Sequence, residues 1–165
     1  TEVLDRANGT KPAFYTTDGI SLFVNGQLSN PHDDESHRYN NLVNFSTNHF
    51  RLEVAGVLSN KVRMRHNDES GSTDITGNSA PSNGFDTTKP FKAASRHKAS
   101  DSRVAVHGVL GNQATGNSAL RSSTALGIGQ KVDGSRHLNG TINRIAIWKT
   151  PFVDSKLEKI TQIIT

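Results

Sequence analysis

The chain has 165 residues, of which only 33% are apolar, so it can bury one thin core; no apolar run approaches the roughly 18 residues that cross a bilayer as a helix. It contains no cysteine, which excludes a disulfide framework and cysteine-ligated zinc and fits folding in a reducing compartment. Nineteen Lys and Arg against fifteen Asp and Glu leave a net charge of +4, a mild bias toward acidic partners.

With 17 Ser, 15 Thr, 15 Asn and 14 Gly, turn chemistry dominates, which suits many short strands better than long helices. Residues 1–18 are polar with scattered apolar positions and read as a lead-in or edge strand of a single domain spanning 1–165. Because the first residue is Thr rather than Met, the chain is expected to be a processed or excised C-terminal module. Ile20-Ser21-Leu22-Phe23-Val24 predicts the first core strand, with Asn25-Gly26 as the turn that closes it. Residues 29–41 read as a loop carrying Asp33, Asp34, Glu35 and Tyr39. Residues 42–45 and 49–54 then predict a hairpin, with Phe50, Leu52 and Val54 facing one way and Arg51 and Glu53 the other.

Lys61-Val62-Arg63-Met64-Arg65 repeats the alternation, sending Val62 and Met64 inward and lining the opposite face with Lys61, Arg63 and Arg65. Residues 66–89 offer little to bury beyond Ile75, Ala80 and Phe85 and read as one long loop. Strand texture resumes at 90–94 and 103–107, a second polar loop follows at 111–123, and 125–129 and 141–148 predict two more strands. The one helix is expected at 154–165. Ser155 and Glu158 match a capping box with Asp154 as a rival cap, and Leu157, Ile160, Thr161 and Ile164 form one stripe. The expected class is all-β, an antiparallel jelly-roll β-sandwich with a short C-terminal helix.

Chemistry is sparse. No G-x-S-x-G elbow is present, the seven His lack ligand spacing, and no aromatic-basic motif points to nucleic acid. No catalytic residue is assigned. Lys61, Arg63 and Arg65, with Lys89, Lys92, Arg96 and Lys98 nearby in sequence, can meet phosphates or uronic acids; a solubilising or edge-protecting face is the competing reading. Tyr39 and Trp148 are candidate stacking platforms for a sugar ring, although a Trp closing the last strand before a helix also suits a packing anchor.

The run L-G-I-G at 126–129, a polar loop, L-N-G-x-I-x-R-I-A-I-W at 138–148 and a short helix ending in Ile160-Thr161 together resemble the concanavalin A-like lectin/glucanase superfamily. Within it the pattern is most similar to laminin-G-like modules of bacteriophage tail fibres, tailspikes and other virion surface proteins. The resemblance covers roughly residues 19–162 and is distinctive over 125–161. It implies a non-enzymatic module on a virion surface, assembled in the host cytoplasm, that binds cell-surface polysaccharide or lipopolysaccharide. It further implies a homo-oligomer, with trimers common in fibres, and contacts to other virion proteins. Two alternatives go with the same fold. One is a capsid or tail decoration domain acting through subunit contacts; the other is a polysaccharide hydrolase, whose E-x-D-x-x-E strand motif this chain lacks. Relatives often hold Ca²⁺ on loops, which makes Asp33 and Asp34 a candidate cation site beside their reading as a solvated acidic loop. No other cofactor, no membrane insertion and no nucleic-acid partner are expected.

Overall fold

The computed structural model describes residues 18–29, 39–45, 50–55, 61–66, 75–80, 89–116, 125–130 and 137–163. Among them ten strands and one helix are present: β1 (Ile20–Leu28), β2 (Tyr39–Phe45), β3 (Phe50–Ala55), β4 (Lys61–His66), β5 (Ile75–Ala80), β6 (Phe91–His97), β7 (Arg103–Val106), β8 (Val109–Leu110), β9 (Leu126–Ile128), β10 (Gly140–Trp148) and α1 (Asp154–Thr161). Two five-stranded sheets result, one ordered β10-β1-β6-β7-β8 (sheet A) and the other β5-β4-β3-β2-β9 (sheet B). Every strand pair is antiparallel. The class expected from sequence is the one observed.

Alternation supplies the core between the sheets. Ile20, Leu22, Val24 and Leu28 of β1, Phe91 and Ala93 of β6, and Val104 and Val106 of β7 meet Leu42, Val43, Phe45, Leu52, Val54, Val62 and Met64 of sheet B in one buried cluster. In β10 the apolar residues Ile142, Ile145 and Ile147 break the period of two. The register steps from Asn25↔Arg144 to Gly26↔Ile142, so Asn143 is the extra residue of a bulge and all three isoleucines pack on that cluster.

Three sequence expectations need correction. Asn25-Gly26 does not end the first strand, which runs on to Leu28. Gly26 is required for another reason, since a Cβ there would sit 2.8 Å from the Thr141 carbonyl oxygen. Residues 66–89 are not one loop: β5 lies within them and pairs with β4, because a sheet partner can order a polar segment that has little to bury. Tyr39 is not loop-borne, for β2 begins there and pairs with β3. The predicted lead-in, the candidate cation loop with Asp33 and Asp34, and Ile164 lie outside the described residues.

The outer face of sheet A is buried by α1 and the segment leading to it. Cross-strand register sets two rows there that the helix segment covers. Ala146, Phe23, Ala94, Ala105 and Leu110 form a central row whose small side chains let Phe152 and Leu157 approach closely. One row toward the strand end, Trp148, Ser21, Arg96 and Arg103 are aligned. Arg96 donates from Nη1 to Asp154 Oδ1 at 2.8 Å and to the Phe152 carbonyl at 2.9 Å, and from Nη2 to Asp101 Oδ1 at 2.6 Å. Arg103 pairs with the other oxygen of Asp154, while Ser21 Oγ accepts from the Phe152 amide at 2.7 Å. Asp154 is therefore not a cap but a half-exposed partner of two arginines, and Ser155 makes no capping box; the N-cap is Val153, without a side-chain bond.

At the opposite end of α1, Lys92 donates to the Gln162 carbonyl at 2.9 Å. Carboxylate at the N-terminus and cation at the C-terminus both suit the helix dipole. The β7–β8 turn completes the seat, as Gly108 N donates to Thr161 Oγ1 at 3.0 Å.

Because Arg96 is buried and serves two carboxylates and a carbonyl, Arg96→Met should cost about 3 kcal/mol in urea unfolding, with Arg103→Met costing less. His107, at φ 50° in the same turn, is held below its ordinary pKa of 6.5 by burial and then by the Lys92 charge. The native state therefore favours neutral His107, and the unfolded chain takes up a proton first on acidification. Stability should fall as pH drops from about 6.5 through the depressed native value. In thermal melts from neutral pH to about pH 5, His107→Asn, which tolerates the left-handed backbone, should show a shallower loss than the native chain.

Candidate functional site

Sheet A is thus covered on both faces, whereas sheet B packs one face on the core and turns the other away from it. Register assembles that face from residues alternating with the core positions. Tyr39, Ala55 and Lys61 stand opposite one another; so do Asn41, Glu53 and Arg63; and so do Gly127, Asn44, Arg51 and Arg65. Four sequence-predicted residues, Tyr39, Lys61, Arg63 and Arg65, are brought into three adjacent rows. Trp148 is not among them. It lies on sheet A, its ring 4.7 Å from that of Phe152 in the cluster beneath α1.

A second bulge builds these rows. Asn41 and Asn44 are three residues apart and by alternation alone would face opposite ways. The register steps from Asn41↔Glu53 to Val43↔Leu52, making Leu42 the extra residue, so that both Asn residues share the outer face while Leu42, Val43 and Phe45 all enter the core.

The middle row is buried although it belongs to an outer face. Asn41, Asn44 and Glu53 have no solvent exposure, and the Arg63 side chain retains 16%. Arg63 Nε donates to Glu53 Oε1 at 2.5 Å. An uncompensated carboxylate at that depth is expensive, and the guanidinium offsets part of that cost. The converse also holds: with Nε committed to a buried carboxylate, the plane of the guanidinium is fixed. Lys61, Arg63 and Arg65 therefore do not form a simple solvated cationic stripe, since the central member is half-buried and paired.

Sequence reasoning missed Asn41, Asn44 and the burial of Glu53. Asn41 falls in the loop expected at 29–41, and the period of two places Glu53 on the face away from Leu52 and Val54 without indicating that it is buried. The only available signal was the accumulation of short amides beside that carboxylate in the facing strands.

Chemically the described side chains of the middle row offer amides, a carboxylate and a guanidinium, groups that can hold a polar ligand.

No protein-family model and no curated protein sequence matches the chain. Solved structures do. The CBM40 module of the Ruminococcus gnavus IT-sialidase, bound to α2,3-sialyllactose, superposes with a TM-score of 0.69 at 12% identity, over 87% of this chain and 83% of that one. The native heptameric SAP-like pentraxin of Limulus polyphemus gives 0.65 at 9% identity, over 86% and 68%. The leech intramolecular trans-sialidase gives 0.67 at 14% identity, over 90% of this chain and 24% of that one. At identities this low the likeness is one of fold: the chain shares the antiparallel β-sandwich of these proteins.

Proposed function

We propose that the chain is a non-enzymatic glycan-binding module whose ligand lies against β2, β3 and β4. The buried Asn41–Glu53–Arg63 row carries this reading, because polar groups held rigidly on a sheet face away from the core cost stability unless they serve recognition. Sugars are recognised by a few fixed donors and acceptors, and amides with an oriented guanidinium provide both. Lys61 and Arg65 flank Arg63 in the register and Tyr39 ends one row, which supports including all four in the proposed site. We assign Trp148 to packing. The R. gnavus module was solved with a sialylated sugar, and a guanidinium suits a carboxylated one, so sialyllactose is the first probe.

The narrower reading, a fibre or spike module that attaches a virion to host polysaccharide or lipopolysaccharide, is supported by the C-terminal sequence signature. Oligomerisation, a Ca²⁺ ion at Asp33 and Asp34, and a virion-surface location belong to that same reading.

Two measurements test the site. By calorimetric titration the native chain should bind sialyllactose or host lipopolysaccharide, and Glu53→Gln/Arg63→Gln, which removes both charges together, should stay folded and bind at least tenfold more weakly. Unchanged affinity in that variant would sink the assignment. In urea unfolding, Arg63→Met alone should cost about 3–5 kcal/mol by stranding Glu53, whereas the double variant should cost clearly less than the sum of the two single ones.

A further inference from the structure

The side of the molecule opposite that face has a composition that packing of α1 does not explain. Lys98, Lys149, Lys156 and Lys159 are all exposed there. Large apolar side chains lie among them: Val153 is 66% exposed just before α1 and Ile163 is 48% exposed just after it. Lys98 Cβ and Pro151 Cγ both come within 3.3 Å of the point where a Gly19 Cβ would stand. The Lys156 ammonium rests 3.8 Å above the Phe152 ring, which itself packs on Trp148, the residue preceding Lys149.

Among the described residues, acid on this side is partly consumed: Asp154 is held by Arg96 and Arg103, and Asp101 by Arg96 and Gln113, so that Asp18 and the half-buried Glu158 are the further carboxylates described beside four lysines. Protein interfaces are depleted in Lys and enriched in aromatic residues and Arg, the reverse of what is exposed here. Single-stranded nucleic acid asks for stacking platforms, and the aromatic rings on this side, Trp148 and Phe152, are packed on each other. Lysines on long stems around protruding aliphatic tips suit a layer of anionic headgroups, where the ammonium groups meet charge and the tips enter the interface.

We infer that the α1 side of sheet A is a peripheral docking surface for an anionic lipid bilayer. Docking there would turn the polar face of sheet B away from the bilayer and leave it free for a ligand. No helix among the described residues is long and apolar enough to cross a membrane, so the contact is interfacial.

The test is co-sedimentation of the full chain with vesicles of phosphatidylcholine, with and without phosphatidylglycerol. Binding is expected only with phosphatidylglycerol, to weaken as salt is raised, and to fall at least tenfold in Lys149→Gln/Lys156→Gln/Lys159→Gln. Val153→Asp should also reduce binding. Circular dichroism of each variant verifies that it is folded. Failure to bind phosphatidylglycerol vesicles, equal binding to phosphatidylcholine alone, or undiminished binding by the triple lysine variant would each overturn the inference. The glycan titration is independent of all three, because none of these residues lies on sheet B.

Discussion

The rest of the structure depends on how Arg96 ties the C-terminal segment to sheet A. One guanidinium joins the Phe152 carbonyl, Asp154 at the start of α1 and Asp101 in the β6–β7 connection, at a depth where each bond counts for more than it would in water. The alanine row beside it makes room for Leu157 and Phe152, and Lys92 holds the far end of the helix. This set of contacts turns sheet A into a layer buried on both sides, which is why β1 and β6 read as almost continuously buried strands. Sheet B is left with one face for the core and one for other uses. The location of the candidate site follows from how the helix is seated.

Much of the fold was legible in the sequence because periodicity and strand order are written locally. Leu52 and Val54 against Arg51 and Glu53, and Val62 and Met64 against their basic neighbours, state the strands and their inner faces directly. The terminal helix and its start at Asp154 are visible from its stripe, but its capping is not. A capping-box pattern at Ser155 carries no information about Arg96 and Arg103, which lie more than fifty residues upstream and claim Asp154 for a tertiary contact. Likewise β5 has almost no apolar content of its own, and only pairing with β4 makes it a strand.

The site was legible in part and for a different reason. Lys61, Arg63 and Arg65 announced one face by simple alternation, and the structure keeps them in adjacent rows. What alternation could not give was the company they keep. Glu53 and Asn41 reach Arg63 across strand boundaries through register, and register is a property of pairs of strands. Trp148 shows the same limit from the other side: its chemistry suits a sugar platform, and its neighbour Phe152 determines that it packs.

Both bulges show that core and site are specified together. In β10 the extra residue at Asn143 keeps three isoleucines on the inner face; in β2 the extra residue at Leu42 keeps two asparagines on the outer one. A β2 without its bulge would have to choose. Aligning Asn41 with Glu53 would then send Val43 and Phe45 outward, and burying those two would turn Asn41 away from Glu53. Neither choice is cheap, since the first removes two side chains from the main cluster and the second leaves a buried carboxylate with one polar neighbour fewer. One irregular residue therefore secures the packing of β2 and the polar row beside it, and a change at Leu42 that shifted the register would damage both at once.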